Sequence, residues 1–473
     1  LYDVKLTVPK GYTVGATGEE QGAPVEQNGM VTHHFVQGDV HDFAWTADNR
    51  TAKVMEGETT GTGVPKVKIK VLFPPEYAHT ASAVMQATKD SIGYFSKTLG
   101  PYPYKTVTAV IPPFNAAEAG GMEYPTFFTT DAKKNIDPGT QDQYGLDFVT
   151  IHEFGHGYFY GILGSNEFEE PMLDEGLNQY WDNRMLRQRG QNMGLANPFT
   201  KALGLGVAAE SFALNRLFAA VDAPFDPLGQ NSWHRSSSSG YGIVYSRTAT
   251  LMRDLEARMG TPVMERAFKQ YYAQWKFRHP SIADLRETLA QASGQRAMVE
   301  TAFAQHVYKV SKIDDRVAKF TSVEETPQPG TREVSGQWQE ETQEALEERI
   351  EAEKKRWKKA HPDAKKGFGP YPWRTTVMLK RYGAPVPQTV VVKFADGSSE
   401  TVLWDNDQSW QRLIWLRPSK AVSVEIDPQR LHYLDASKLD DSRTIDANRK
   451  ASNRWGSEVS AMAQGLIALL VNL

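Results

Sequence analysis

The residues best suited to catalysis form one short run, His152-Glu153-Phe154-Gly155-His156. In a helix, positions four apart lie on nearly the same face, one turn from each other. Both imidazoles can therefore reach one ion, while the glutamate between them projects beside it. The run predicts a two-histidine metal clamp with a carboxylate next to the metal.

Composition restricts what else can complete this clamp. The 473-residue chain contains no cysteine, which excludes disulfides, Fe–S clusters and thiolate zinc sites. A tetrahedral catalytic zinc needs a third protein ligand, here another histidine or a carboxylate, and an open position for water. Glu175 is the candidate, because it opens a second predicted helix after a reversing loop that contains Pro171. We therefore predict one Zn2+ ion per chain, bound by His152, His156 and Glu175.

Charge excludes a class of partner. The chain has 53 basic and 57 acidic side chains, a formal net charge of −4 and a pI of about 6.3. A protein that binds nucleic acid through its phosphates carries a basic excess. We therefore expect no nucleic-acid partner. The 40% hydrophobic and 11% aromatic residues indicate an ordered chain with well-packed cores.

The elements that must position the clamp follow a leading β region. Residues 1–63 alternate apolar and polar positions, which predicts the remnant of an amino-terminal antiparallel β domain. Residues 64–312 combine strands with a helical body and form the predicted catalytic domain. Its predicted elements are strands at 66–73, 106–111 and 124–130 and helices at 78–99, 145–163, 174–189, 197–217, 243–259, 262–275 and 281–291.

The remainder of the chain divides into three predicted parts. Residues 313–372 are rich in charge and predict a linker or solvated helix. Residues 373–436 return to strands, with Asp396-Gly397 as a hairpin turn, and predict a small β domain. Residues 437–473 predict a tail ending in an apolar helix, Val459–Leu473, which is shorter than the roughly 20 residues of a membrane span.

Compartment, oligomeric state and membrane association stay open at this stage. The sequence begins at Leu1 with no signal peptide before it, so we interpret it as a fragment or a processed form. Export or membrane association is compatible with that reading and with the apolar terminal run. A docked terminal helix is the expectation for that run, and a truncated membrane segment is its alternative.

Three ordered motifs resemble the zinc aminopeptidases of the thermolysin-like gluzincin group, the family of aminopeptidase N and leukotriene hydrolase. The first is HExxH followed, after eighteen intervening residues, by the glutamate at position 175. The second is Gly120-Gly121-Met122-Glu123-Tyr124, which is similar to the family's GAMEN loop except for its last position. The third is Tyr245-Ser246-Arg247-Thr248, which is similar to the YxKG segment, with arginine and threonine at its last two positions.

The resemblance implies an α+β fold with a thermolysin-like catalytic domain, flanked by the partial amino-terminal β domain and the small carboxyl-terminal one. It also implies roles for residues outside the zinc motif. Glu123, with Gly120, Gly121 and Met122 around it, would bind the free amino group of a peptide substrate. Tyr245 would donate a hydrogen bond to the transition state.

These expectations combine into a zinc-dependent aminopeptidase that removes the amino-terminal residue of peptides. A zinc-bound water would attack the peptide carbonyl, with Glu153 as general base. One alternative is an endopeptidase or another hydrolase with the same zinc core. Another is a catalytically inactive peptidase-fold protein that serves as a binding partner or scaffold.

Overall fold

A computed structural model describes residues 1–50, 53–134, 136–194, 208–221, 225–236, 241–447 and 453. The chain divides into two compact units, residues 1–311 with 431–434, and residues 312–430 with those from 435 onward. This division differs from the five parts expected above. The predicted β remnant and the predicted catalytic domain belong to one unit, and the predicted linker belongs to the other.

The first unit begins with short antiparallel strands, as the alternating pattern predicts. One sheet has the order β1-β5-β3, with β4 also paired to β5, and β2 pairs with β6. In β1 the side chains alternate between exposed and partly buried positions, the pattern of a strand with one covered face. The strands are β1 (Tyr2–Pro9), β2 (Thr13–Ala16), β3 (Glu19–Glu20), β4 (Val25–Gln27), β5 (Met30–Gln37) and β6 (Trp45–Asp48).

The strands of a second sheet in this unit precede the zinc-motif helix in the sequence. Its order is β10-β9-β8-β7, where β8, β9 and β10 run parallel and β7 is antiparallel to β8. Helix α1 (Ala78–Thr98) makes the crossover between the parallel strands β8 and β9 and packs on β8. The strands are β7 (Lys53–Glu58), β8 (Lys68–Phe73), β9 (Thr106–Val110) and β10 (Phe127–Thr129).

Helices form the rest of the first unit. After α1 these are α2 (Gln141–His156), α3 (Glu175–Gln188), α4 (Ser211–Val221), α5 (Gly242–Met259), α6 (Thr261–Trp275), α7 (Ile282–Ser293) and α8 (Arg296–His306), with a short strand pair, β11 (Met193–Gly194) and β12 (Ala208–Ala209). Helix α8 was not predicted. The first part of the predicted helix 197–217 lies outside the described residues.

The core of this unit is rich in aromatic side chains. Trp181 on α3 meets Phe268 on α6 with ring centroids 5.1 Å apart. Phe95 on α1 stacks on Tyr158, just after α2, at 5.3 Å. These four side chains are buried. Because aromatic rings bury large areas, these contacts hold α1, α3 and α6 around the zinc-motif helix.

The second unit is mainly antiparallel β-structure. One sheet has the order β13-β16-β19 and another β18-β17-β20-β21, while β14 and β15 form a separate hairpin. Its elements are β13 (Asp315–Glu324), β14 (Gly330–Val334), β15 (Gln337–Glu341), α9 (Gln343–Ala360), β16 (Phe368–Arg381), β17 (Gln388–Phe394), β18 (Ser399–Trp404), β19 (Trp410–Ser419), β20 (Ala421–Ile426) and β21 (Ser442–Thr444).

Two expectations for this part of the chain meet different outcomes. Residues 313–372 are not only a charged linker or helix, because β13 supplies one strand of the main sheet and pairs with β16 from Asp315↔Arg381 onward. The side chain of Val317 in β13 is fully buried, so this strand belongs to the core although the sequence after it is densely charged. The Asp396-Gly397 hairpin lies between β17 and β18, as predicted, with Gly397 at φ +90°.

The described helices include none long and apolar enough to cross a membrane. The predicted terminal helix Val459–Leu473 lies outside the described residues. The overall class, mixed α and β, agrees with the prediction.

Candidate metal centre

The zinc motif lies in the last turns of α2. Thr140 caps this helix by accepting a hydrogen bond from the backbone N–H of Gln143 at 3.3 Å. The helix ends at His156 and continues as a π-helix, Gly157–Ile162, where one helix to residue 163 was predicted. Local π-helical turns are frequent at functional sites. Both motif histidines are buried, with 7% exposure at His152 and 2% at His156.

The close approach of α3 to α2 depends on a small residue within the motif. A Cβ atom at Gly155 would lie 2.0 Å from Asn178 Oδ1, so no larger residue fits without movement. Asn178 uses this proximity to donate from Nδ2 to the carbonyl oxygen of His152 at 2.7 Å. This contact holds the start of α3, and with it Glu175, against the two histidines.

The three predicted ligands converge at one point. His152 Nε2 and His156 Nε2 are 3.1 Å apart, and each is 3.2 Å from Glu175 Oε2. Three ligands of a tetrahedral zinc at roughly 2.05 Å lie about 3.3 Å from one another. The donor set and its spacing therefore fit three of the four ligands of a zinc ion.

Two further carboxylates orient the histidines. His152 Nδ1–H donates to Asp182 Oδ2 at 2.6 Å, and His156 Nδ1–H donates to Asp174 Oδ1 at 2.5 Å. Both aspartates are buried. With the proton on Nδ1, each ring presents the Nε2 lone pair toward the shared point, which is the tautomer a metal requires. The sequence analysis did not identify these two residues.

A second group of ligand-type atoms overlaps the first. Glu123, His156 and Asp174 have ligand atoms within 4.8 Å of one another. Because Asp174 already accepts the His156 Nδ1 proton, this group is better described as the wall of the same site than as another metal site. The contact brings Glu123, the predicted amine anchor, to the edge of the metal centre.

The loop that carries Glu123 is held to the sheet by backbone hydrogen bonds. Gly121 N donates to Thr129 O at 2.9 Å, and Thr129 N donates to Met122 O at 2.9 Å, which forms a short antiparallel bridge to β10. Gly121 has φ +74°, a conformation that side chains other than glycine rarely adopt. A Cβ atom there would lie 3.5 Å from Glu153 Oε1. The loop therefore borders the predicted general base.

Burial changes the acid–base properties of the site carboxyls. Burial raises the pKa of Glu153 to about 7, although the neighbouring histidines pull it down. Burial also raises the pKa of Glu123, with a further contribution from the negative charge of Asp174. A carboxyl group with a pKa near neutrality is suited to accept and return a proton.

Tyr245 reaches the metal centre from α5. Its hydroxyl donates to Glu175 Oε1, the oxygen not directed at the histidines, and its ring lies 5.9 Å from that of His152. Burial and the charge of Glu175 raise the pKa of Tyr245 above its usual value, so the hydroxyl keeps its proton. The predicted transition-state donor thus lies beside the predicted third ligand.

Comparison with known proteins adds a family to this geometry. Residues 83–309 match the Peptidase family M1 domain. The glutamyl aminopeptidase of Sus scrofa is 21% identical over 266 residues, a match that covers 54% of this chain and 27% of that protein. The chain contains a Peptidase family M1 domain. The resemblance to the gluzincin aminopeptidases is thereby confirmed, and membership of this family implies zinc.

A solved structure shares the fold of the M1 chain. Legionella pneumophila aminopeptidase A, determined in complex with aspartic acid, is 11% identical with a TM-score of 0.62, covering 92% of this chain and 44% of that one. An M1 zinc metallopeptidase from Deinococcus radiodurans is 16% identical with a TM-score of 0.49, covering 64% and 62%. This chain therefore spans about a quarter of the curated relative and less than half of the Legionella protein.

The structure of the M1 domain brings every predicted site residue to one place. The two histidines, Glu153, Glu175, Tyr245 and the loop at 120–123 surround the same point. Asp182 could have been found from the sequence, because it follows Glu175 by two helical turns and so lies on the same face. Asp174, next to Glu175, could have been found by asking which groups accept the second proton of each imidazole.

Proposed function

We propose that this M1 chain is a zinc-dependent aminopeptidase that hydrolyses the amino-terminal residue from peptides, with one zinc ion per chain. The observation that supports it best is the triangle of ligand atoms, 3.1–3.2 Å on each side, whose two histidines are both oriented by buried carboxylates. A scaffold without activity would not need the buried carboxylate of Glu153 beside these ligands. A peptide with a free amino terminus is the proposed substrate.

In this proposal His152, His156 and Glu175 hold the ion. A zinc ion bound by these groups would acidify a water molecule and polarise the substrate carbonyl. Glu153 accepts the proton of the attacking water and later gives it to the leaving amine. Burial, which raises the pKa of this carboxyl, favours its uptake of the proton before that proton passes to the amine.

Two other side chains complete the proposed mechanism. The Tyr245 hydroxyl donates a hydrogen bond to the oxygen on which negative charge develops, after exchanging its present acceptor, Glu175, for the substrate. Glu123 pairs with the ammonium group of the substrate. Because this pairing lies at the edge of the metal centre, it places the first peptide bond over the reacting groups and makes the enzyme an exopeptidase.

Metal removal tests the first element of the proposal. Chelation should abolish hydrolysis of aminoacyl arylamides, and added zinc should restore it. Glu153→Gln should keep zinc at one ion per chain, measured by elemental analysis, and lose turnover. Tyr245→Phe should also keep zinc, with kcat about 10²–10³-fold lower, the usual loss for one oxyanion donor. Turnover that survives chelation or Glu153→Gln would contradict the mechanism.

Blocked substrates test the exopeptidase assignment. Glu123→Ala should reduce hydrolysis of a peptide with a free amino terminus far more than that of its N-acetylated form. Gly145→Ala is a control variant in the same unit, because a Cβ at Gly145 meets no atom within 4 Å. If blocked peptides are cleaved as fast as free ones by the native chain, the endopeptidase alternative is correct. If neither is cleaved although zinc is bound, the chain is the inactive alternative.

A further inference from the structure

A cavity of about 510 Å³ begins one helical turn beyond the metal ligand His156. Tyr160, four residues after that histidine, and Glu167, in the loop that follows, both line it. The ring of His41, from the leading β region, packs edge-on against Tyr160, with ring centroids 4.3 Å apart. The cavity therefore borders the helical segment that continues from the zinc motif.

The backbone around Glu167 is fixed by several hydrogen bonds. Ser232 Oγ donates to Glu167 O at 3.0 Å, and Ser232 N donates to Phe168 O at 2.8 Å. Asn166 Oδ1 accepts from Phe168 N at 3.1 Å, an Asx turn. These contacts hold the half-buried Glu167 carboxylate at the cavity wall, where it accepts a hydrogen bond from the hydroxyl of Tyr160.

The charge of this cavity is negative and uncompensated. No lysine or arginine of the described residues lines it, and Glu167 forms no ion pair within that part of the chain. The Glu170 carboxylate already has a hydrogen-bond partner, since its Oε2 accepts from Ile282 N at 3.0 Å. The one imidazole in the wall, His279, has its Nδ1 on Gly164 O at 2.8 Å. A carboxylate so placed is suited to a cation from outside.

Electrostatics relate this carboxylate to the proposed amine anchor. Burial raises the pKa of Glu167, and the next largest contributions are repulsion from Glu123 and then from Glu175. Tyr160, whose hydroxyl donates to Glu167, lies four residues after the metal ligand His156, so one side chain joins this carboxylate to the end of the zinc-motif helix. A single substrate residue with two cationic groups would neutralise both carboxylates.

We propose that Glu167 is a specificity-determining residue that binds the cationic side chain of an amino-terminal arginine or lysine. The inference rests on the proposed aminopeptidase function, in which Glu123 takes the ammonium of the same residue. Tyr160 orients the carboxylate and supplies an aromatic face for the aliphatic part of the side chain. The charge-assisted contact is of the kind worth about 1.5–3 kcal/mol, or roughly 10–100-fold in affinity.

In this chain an acidic amino-terminal side chain in the cavity would face Glu167 with no described arginine or lysine in the wall to offset the repulsion. We therefore expect aminoacyl substrates with glutamate at this position to be the poorest of those compared.

The experiment uses the zinc-loaded chain and matched arylamide substrates. Arginine is compared with citrulline, its neutral analogue, and lysine with norleucine. Native kcat/KM should favour each cationic residue by about 10–100-fold, mainly through KM. Glu167→Gln should bring both ratios to within about twofold while turnover of the neutral substrates is retained. Glu76→Gln is the matched control, since it removes the same charge from an exposed side chain of the same unit that does not line the cavity, and it should keep the ratios.

Two outcomes would overturn the specificity inference alone. Equal kcat/KM for arginine and citrulline in the native chain is one, and equal loss of preference in Glu167→Gln and Glu76→Gln is the other. If no substrate is cleaved, the proposed function fails instead, and calorimetry then decides the inference. Argininamide should bind about 10–100-fold more tightly than citrullinamide and lose that advantage in Glu167→Gln. Equal binding of the two amides would refute it.

Discussion

Replacing Asp182 tests whether the buried carboxylates behind the histidines tune the metal centre. His152 Nδ1–H donates to Asp182 Oδ2 at 2.6 Å, and the aspartate is 0% exposed, so water cannot take its place. Asp182→Asn keeps the size of the side chain but removes its charge and can turn an N–H toward the ring. The favoured tautomer of His152 then loses its support. Such changes lower metal affinity about 10–100-fold, which corresponds to roughly 1.4–2.7 kcal/mol.

The assay is zinc competition between the purified chain and a chromogenic chelator of known affinity. Asp254→Asn is the matched control: Asp254 is also 0% exposed, accepts from Arg258 at 3.0 Å, and touches no predicted ligand. Both variants should lower the melting temperature of the metal-free chain, but only Asp182→Asn should weaken zinc binding. Unchanged zinc affinity in Asp182→Asn, or the same loss in the control, would refute the reasoning.

Two stability predictions follow from close contacts. Gly155→Ala places a Cβ 2.0 Å from Asn178 Oδ1 and should destabilise the chain by about 1–3 kcal/mol in urea unfolding, whereas Gly145→Ala on the same helix should stabilise it by about 0.5–1 kcal/mol. In the second unit, Arg381→Met leaves the buried Asp315 carboxylate without the guanidinium group that contacts it at 2.8 and 3.0 Å. This loss should lower the free energy of unfolding by about 3–5 kcal/mol. A cost below about 1 kcal/mol for Gly155→Ala or Arg381→Met would contradict these contacts.

Elements bounded by local signals were predictable to within a residue or two. Helix α1 was predicted at 78–99 and lies at Ala78–Thr98, because the Pro74-Pro75 and Gly100-Pro101 pairs mark both ends. The zinc helix was less well bounded, since hydrophobic periodicity does not separate an α-helix from the π-helix at Gly157–Ile162. Strand β13 was missed because charged neighbours obscured its alternation, and its burial depends on pairing with β16, far along the chain.

The site shows the same dependence on distance along the chain. The ligands His152 and His156 share one helix, so their spacing alone predicts that they meet. Asp182 lies two helical turns after Glu175, so the helical pattern places it on the ligand face, whereas the position of Glu167 depends on how two segments pack. A search for acceptors of the second imidazole protons would have found the aspartate, whereas the cavity wall at Glu167 required the fold.

The departures from the family's YxKG segment lie at packing positions rather than at the reacting groups. Arg247 is two residues past Tyr245, about 200° around the helix, and its buried guanidinium donates to the carbonyl of Ser311. Thr248 packs where α5 meets α3, because a Cβ on Gly176 would lie 2.5 Å from it. Arginine and threonine at these positions therefore change how α5 is held and leave the tyrosine hydroxyl on Glu175. The proposed chemical role of this motif belongs to its first residue, Tyr245, which this chain retains.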